Sequence, residues 1–181
     1  MVFDLVGDLV YFPVGNRSDA HRFLLSGCAG LESGGVMASP KPRTLRILVV
    51  DDDDADTVMI EEALAAATVP PVTQRARDGR EALDQLRAEA DEPQGDLPDL
   101  ILLDLNMPRM GGLQLLEELK SDPRLQSIPV VVLTTSDAHP DILASYRHHA
   151  SAFVTKPLDL DRFESAVQKI NAFFADTAEL P

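Results

Sequence analysis

The sequence predicts an α/β fold: a five-stranded, doubly wound parallel sheet with helices on both faces. From Arg46 onward, short apolar runs alternate with longer amphipathic segments. Several of these runs are uninterrupted, which is typical of strands buried on both faces of a sheet. The runs end at polar residues followed by turns, so the chemistry is expected outside the carboxyl ends of the strands.

The first predicted unit is a strand followed by a helix. Ile47–Val50 is an apolar run with branched residues, which favours a buried strand. A helix is expected to follow as far as Ala67, with Asp54 or Asp56 as its N-cap. Pro70-Pro71 then ends it, because proline cannot continue a helix.

The next two units are separated by an acidic loop that contains proline and glycine, Asp91–Pro98. Before this loop, Val72–Arg77 alternates weakly as a strand, and Asp78–Glu81 is a capping box that starts a helix. After it, Asp99–Asp104 is an apolar strand bounded by two acids. A Pro/Gly turn and a helix over Gly112–Lys120 follow this strand.

The last two units complete the sheet. Pro129–Leu133 predicts the fourth strand, and a helix is expected over Pro140–His149. Ala152–Thr155 predicts the fifth strand, and a final helix is expected over Asp159–Phe174. The apolar stripe of this helix is formed by Phe163, Val167, Ile170 and Phe174.

Composition and charge exclude several classes of protein. A single cysteine, Cys28, rules out a disulfide framework, so a reducing, cytoplasmic location is expected. No apolar stretch approaches the roughly 20 residues that a membrane span needs. Residues 1–43 contain equal numbers of acids and bases, so the net charge of −14 belongs to the remainder of the chain. Such a domain repels nucleic acid phosphates, and no nucleic acid partner is expected.

The chain divides into three predicted regions. Residues 1–43 are an extension that lacks a sustained pattern and ends in a linker, Ser39–Pro42. This extension is either disordered or the product of a misplaced start, with Met37 as the true initiator. Residues 44–175 form the domain, and residues 176–181 are a short tail.

Polar residues stand at four strand ends and should converge on one edge of the sheet: Asp51, Asp52, Asp104, Thr134 and Lys156. Carboxylates packed 4 Å apart repel by about 4 kcal/mol at an effective dielectric near 20. The oxygen-only ligand set suits Mg²⁺ or Mn²⁺, which would relieve this repulsion. Metal, lysine and hydroxyl together could hold a phosphoryl group, with Asp104 as the nucleophile.

These residues and their order resemble the receiver domains of two-component response regulators. The resemblance extends over about 45–174 and includes Met107-Pro108, Gly111-Gly112 and Lys156-Pro157. It implies a flavodoxin-like strand order, 2-1-3-4-5, and a phosphoryl group transferred to Asp104 from a phosphohistidine of a sensor histidine kinase. The resemblance also implies that the protein is not an enzyme acting on other substrates, because a receiver domain catalyses only its own phosphorylation and dephosphorylation.

The resemblance also implies residue roles. Asp52, Asp104 and the Asn106 carbonyl would ligate Mg²⁺ directly, and Asp51 would act through water. Thr134 and Lys156 would bind the phosphoryl oxygens. The Lys156-Pro157 peptide bond is expected to be cis.

Three further positions are expected to modulate the site. Phe153 stands where receivers carry an aromatic switch residue, and without a hydroxyl it lacks the hydrogen bond that a tyrosine could make. Asn106 and Ser136 lie two places beyond Asp104 and Thr134, where they should tune dephosphorylation; alternatively, they are plain turn residues.

More narrowly, the chain resembles the small regulators paired with bacterial phytochrome kinases, which commonly form homodimers. This resemblance is carried by Val50–Asp56, the acidic loop, Thr134-Thr-Ser136 and the tail Phe173–Pro181.

Two other functions remain open at this stage. One is a phosphatase of the haloacid dehalogenase type, which would need its nucleophile in the first Asp cluster and which usually carries a cap domain. The other is a scaffold that acts without phosphorylation.

Overall fold

The computed structural model describes residues 2–4, 9–11, 44–93, 95–135, 150–157 and 159–176. Five of its strands form one parallel sheet: β3 (Arg46–Val50), β4 (Val72–Ala76), β5 (Leu100–Leu103), β6 (Val130–Thr134) and β7 (Ala152–Thr155). Their order is β4-β3-β5-β6-β7. This is the order 2-1-3-4-5 of the five sheet strands, so the predicted fold class is confirmed.

Four helices are described: α1 (Asp54–Ala65), α2 (Gly79–Asp91), α3 (Gly112–Ser121) and α4 (Leu160–Asp176). The helix expected over Pro140–His149 lies outside the described residues. None of the described helices is long and apolar enough to cross a membrane.

The sheet separates two apolar cores, because successive strand residues point to opposite faces. Helices α2 and α3 cover one face, and α1 and α4 cover the other. The stripe predicted on the last helix is confirmed as part of the second core, since Phe163, Val167, Ile170 and Phe174 are all buried there. The three central strands β3, β5 and β6 are buried on both faces almost throughout.

The N-cap of α1 is neither of the two residues predicted for it. Asp53, in extended conformation, is the N-cap, and its Oδ1 accepts hydrogen bonds from the backbone N–H groups of Ala55 (2.7 Å) and Asp56 (3.2 Å). Asp54 and Asp56, the two predicted caps, already have helical positions. An N-cap needs a non-helical backbone, which is why neither can serve.

The predicted cap of α2 is confirmed. Asp78 Oδ1 accepts from the N–H groups of Arg80 (2.7 Å) and Glu81 (2.9 Å). The Glu81 carboxylate returns to the N–H of Arg77 at 2.9 Å, one residue before the cap. The chain entering the helix is therefore fixed at two adjacent residues.

A short antiparallel hairpin was not predicted. It consists of β1 (Val2–Asp4) and β2 (Leu9–Tyr11), and β2 lies next to β7. Branched and aromatic residues in both strands favour this conformation. Runs of three residues are too short to give a periodic signal, and the rest of the extension lies outside the described residues.

Candidate functional site

Four of the predicted polar residues meet at the carboxyl edge of the sheet. Asp51 follows β3, Asp104 follows β5, Thr134 ends β6 and Lys156 follows β7, and all four are buried. Backbone hydrogen bonds continue the sheet to this edge: Asp104 N–H donates to Val50 O (2.9 Å) and Lys156 N–H donates to Thr134 O (2.8 Å). The strand register therefore fixes the backbone positions of these residues at the edge of the sheet.

The Lys156 ammonium lies among three carboxylates. Its Nζ is 2.7 Å from Asp51 Oδ2, 2.7 Å from Asp56 Oδ2 and 3.2 Å from Asp104 Oδ1. The ammonium donates hydrogen bonds to Asp51 and Asp56, and it forms an ion pair with Asp104. The lysine thus links β7 to the ends of β3 and β5 and to the first turn of α1.

The Asp104 carboxylate is held at both oxygens. Oδ2 accepts from the backbone N–H of Asn106 at 2.5 Å, and Oδ1 faces Lys156. Behind it, Gly112 brings the start of α3 against the strand end, because a Cβ at Gly112 would lie 2.3 Å from Asp104 O. Glycine is therefore required for this close approach.

The neighbouring polar side chains connect β5 to β6. Asn106 Nδ2 donates to Thr134 Oγ1 at 3.3 Å. Asn106 itself is exposed, whereas Thr134 is fully buried. The predicted switch residue, Phe153, is buried in the core under α2 and α3.

Two predicted site residues stand apart. Asp52 follows Asp51 but is exposed, outside the hydrogen-bonded cluster around Lys156. Ser136 lies outside the described residues. Within the described ranges, no three His, Cys, Asp or Glu side chains are arranged to hold a metal ion. Lys156 instead bridges three of the carboxylates.

The chemistry of the site nevertheless fits a divalent cation. One ammonium stands against three carboxylates in contact with it, and Asp52 adds a fourth acid next to Asp51. The net charge of these side chains is negative, and the available ligands are oxygens, which Mg²⁺ and Mn²⁺ prefer.

Burial and charge act in opposite directions on these groups. Burial raises the pKa of Asp51, and the hydrogen bond from Lys156 offsets part of this effect. Burial alone would lower the pKa of Lys156, but the hydrogen bonds to Asp51 and Asp56 and the charge of Asp104 outweigh it, so the pKa is raised. The lysine therefore stays charged.

Sequence reasoning missed Asp56 as part of this cluster, because its place at the start of a helix predicts a cap. One signal could have found it. A helix that directly follows a strand of a parallel sheet has its first turn at the carboxyl edge, so acids in that turn lie near the site.

One expectation drawn from the resemblance was wrong. The Lys156-Pro157 peptide bond is trans, since no cis peptide bond occurs among the described residues. The trans form is favoured before proline by about 0.5–1 kcal/mol. Lys156 reaches all three carboxylates from it, so the contacts do not require the cis form.

The fold and the site together define a class. A doubly wound parallel sheet carries buried acids after its first and third strands, a buried threonine at the end of the fourth and a buried lysine after the fifth. This combination is that of a receiver-type signalling domain. Comparison with known sequences agrees, because a sequence model of the response regulator receiver domain matches residues 47–168. The chain belongs to the response regulator receiver family.

Relatives that match over nearly their whole length support the assignment of the chain to this family. Response regulator Rcp1 of Synechocystis sp. is 39% identical over 135 residues, which are 75% of this chain and 92% of that protein. The structure of the phosphorylated cyanobacterial phytochrome response regulator RcpA is 45% identical, with a TM-score of 0.71 over 77% of this chain and 99% of that one. The Mn²⁺-bound form of Rcp1 is 39% identical, with a TM-score of 0.69 over 76% and 99%.

These findings bear on the phosphatase alternative left open by the sequence. The chain is a receiver domain homologous to single-domain response regulators. The haloacid dehalogenase alternative is not supported. As a receiver, the chain is a signalling protein whose implied partner is a histidine kinase.

Proposed function

We propose that Asp104 accepts a phosphoryl group from the phosphohistidine of a sensor histidine kinase and that the chain signals through the resulting conformational change. The position of Asp104 carries this proposal. Its carboxylate lies at the end of the central strand, with Lys156 Nζ 3.2 Å from one oxygen. A carboxylate oxygen would form the new P–O bond as the P–N bond to histidine breaks.

Mg²⁺ is the proposed cofactor, held by Asp52, Asp104 and the Asn106 carbonyl, with Asp51 contributing through water. When bound, it would neutralise charge on the phosphoryl oxygens. The acidic excess of the site supports this proposal, as does the Mn²⁺-bound form of a relative. Lys156 must then share its carboxylate partners with the cation.

Lys156 and Thr134 would bind the phosphoryl oxygens. The ammonium is charged and already faces Asp104, and the Thr134 hydroxyl lies at the neighbouring strand end. Fixed charges and donors at such a position stabilise the transferring group without reorganisation. Movement of Thr134 toward the phosphoryl group would leave space behind it, and Phe153 is the aromatic side chain proposed to respond.

Asn106 is proposed to tune dephosphorylation. Its side chain is exposed beside Asp104 and hydrogen-bonds to Thr134, so it stands where water approaches the site. Ser136 is proposed for the same role from its place in the sequence.

The proposed partner is a phytochrome-type histidine kinase, because relatives that match nearly their whole length are described as phytochrome response regulators. A homodimer and a cytoplasmic location are proposed with it. Sedimentation velocity with beryllofluoride and Mg²⁺ tests the dimer, and a monomer at all concentrations would contradict it.

The direct test uses phosphoramidate, a small phosphodonor, with Mg²⁺. Wild-type protein is expected to gain one acid-labile phosphoryl group, and Asp104→Asn none. Asp84→Asn is the matched control, since it removes one carboxylate from an exposed position on α2. Equal labelling of Asp104→Asn and wild type would refute the proposal.

A further inference from the structure

The contacts of Lys156 include one acid that has no place in the proposed phosphotransfer. Asp56 lies in the first turn of α1, and its Oδ2 is 2.7 Å from Nζ, as close as Asp51. The Asp104 oxygen is farther, at 3.2 Å. The ammonium is thus held chiefly by the two acids that would not carry the phosphoryl group.

These two acids differ in what else they must do. Asp51 is 4% exposed and is expected to act in metal binding, which withdraws its charge from the lysine. Asp56 is 26% exposed and belongs to a helix rather than to a strand end. It can therefore remain the lysine's partner when Asp51 and Asp104 take part in binding Mg²⁺ and phosphate.

A partner of this kind matters because Lys156 is buried. Its side chain is only 6% exposed, and a buried ammonium without a compensating charge is unfavourable. Its long stem would otherwise also sample several rotamers. A fixed carboxylate on α1 compensates the buried charge and restricts the side chain to fewer rotamers.

The backbone of Asp56 is itself fixed. Its N–H donates to the Asp53 cap at 3.2 Å, so the carboxylate projects from a capped helix turn rather than from a loop. The site thus receives its lysine anchor from a rigid element.

We infer that Asp56 is a positioning residue, which holds the Lys156 ammonium beside Asp104 so that it is in place when the phosphoryl group arrives. This inference rests on the proposed function of Asp104. It assigns to α1 a role in the chemistry as well as in the core.

The test is a double-mutant cycle of Asp56→Asn and Lys156→Ala, measured as the rate of phosphorylation by phosphoramidate at saturating Mg²⁺. Asp56→Asn alone is expected to slow phosphorylation by about tenfold, the loss of one charge-assisted hydrogen bond. In the Lys156→Ala background it is expected to slow the reaction no further, because its target is gone. An unchanged or faster rate for Asp56→Asn, or equal slowing in both backgrounds, overturns the inference.

Asp54→Asn is the matched control. Asp54 lies in the same helical turn and carries the same charge, but it pairs with Arg75 at 2.6 Å. It is expected to leave the rate unchanged in both backgrounds. If Asp54→Asn slows phosphorylation as much as Asp56→Asn, the effect is one of net charge, and the positioning role is refuted.

A second readout needs neither metal nor phosphate. The Lys156 ammonium should give a slowly exchanging ¹⁵N-detected side-chain signal in metal-free wild-type protein and in Asp54→Asn, and its exchange should be faster in Asp56→Asn, where Asp51 remains as the hydrogen-bond partner at 2.7 Å. Exchange in Asp56→Asn as slow as in the wild type contradicts the inference. Because this measurement is independent of phosphorylation, failure of the wild type to be phosphorylated would count against the proposed function alone.

Discussion

At the residue scale, two lysines of this domain are held by different partners. Lys156 is surrounded by carboxylates, and its pKa is raised. Lys120 is half-buried, and its Nζ donates to two backbone carbonyls, Gln126 O at 2.8 Å and Ile128 O at 2.7 Å. Neutral carbonyls do not compensate a buried charge as carboxylates do, and burial lowers the pKa of Lys120 to about 8.

This difference predicts how stability depends on pH. The pKa of Lys120 is about 8 in the folded state, against 10.5 for the ordinary value. Between these two values the unfolded chain binds more protons, so the free energy of unfolding attributable to Lys120 should rise with pH. The penalty for burying the charge is fully present below about pH 8 and disappears above about pH 10.5.

Urea unfolding from pH 7 to pH 10.5 measures this effect as the difference between wild type and Lys120→Met. That difference should shift in favour of the wild type as the pH rises. Lys169→Met, which removes an exposed lysine, is the control. If the unfolding free energy of the wild type relative to Lys120→Met stays constant or falls across this pH range, the prediction is refuted.

The site residues show what the sequence could predict at this scale. Asp104 and Lys156 were placed together because parallel strand ends share one edge, which is a consequence of topology alone. The partnership of Asp56 with Lys156 joins residues 100 positions apart through a side-chain rotamer. Periodicity carries no information about rotamers, so the sequence could place Asp56 near this edge of the sheet but could not predict its contact with Lys156.

At the scale of elements, the approach of α3 to the end of β5 controls the position of Asp104. A Cβ at Gly112 would lie 2.3 Å from Asp104 O and 2.8 Å from Leu105 Cα. Both are backbone atoms of the strand end, so they cannot move aside as a flexible side chain would. At Gly111 the nearest atom, Leu105 O, is 3.4 Å away, and φ is −72°.

The two adjacent glycines therefore give a matched pair. Gly112→Ala should destabilise the domain by about 1–3 kcal/mol, as overpacking does, and should slow phosphorylation by displacing Asp104. Gly111→Ala should be tolerated, because its Cβ makes ordinary contacts in an allowed conformation. Thermal unfolding and phosphoramidate labelling of both variants check this; equal effects of the two substitutions would be evidence against it.

Element boundaries were predicted less well than the elements themselves. The buried stripe of α4 was found because four apolar residues recur at helical spacing. The N-cap of α1 was predicted wrongly, since four consecutive aspartates offer several equivalent caps and only the backbone conformation selects Asp53. The short hairpin β1–β2 had no pattern long enough to detect.

At the scale of the whole molecule, the charge is strongly asymmetric. The net charge of −14 lies outside residues 1–43. The acids at the carboxyl edge of the sheet contribute to this negative charge. A divalent cation bound there would reduce both the net negative charge of the domain and the repulsion among the site carboxylates. Cation binding should therefore be visible in the stability of the entire domain.

Mg²⁺ is expected to raise the melting temperature of the wild type, because a ligand that binds only the folded state stabilises it. At about 100 times the dissociation constant this amounts to about 2.7 kcal/mol. Asp52→Asn should lose most of the increase, whereas Asp84→Asn, at an exposed site on α2, should keep it. Differential scanning calorimetry with and without Mg²⁺ measures this, and a full increase in Asp52→Asn would count against Asp52 as a ligand.

The most direct test of the central claim is chemical identification of the phosphorylated residue. Borohydride reduces an acyl phosphate on aspartate to homoserine, which peptide mass spectrometry locates. After phosphorylation and reduction, the predicted result is homoserine at position 104 and at no other aspartate. Homoserine at Asp51 or Asp52, or a phosphoryl group that remains as a serine, threonine or histidine adduct, would contradict the account.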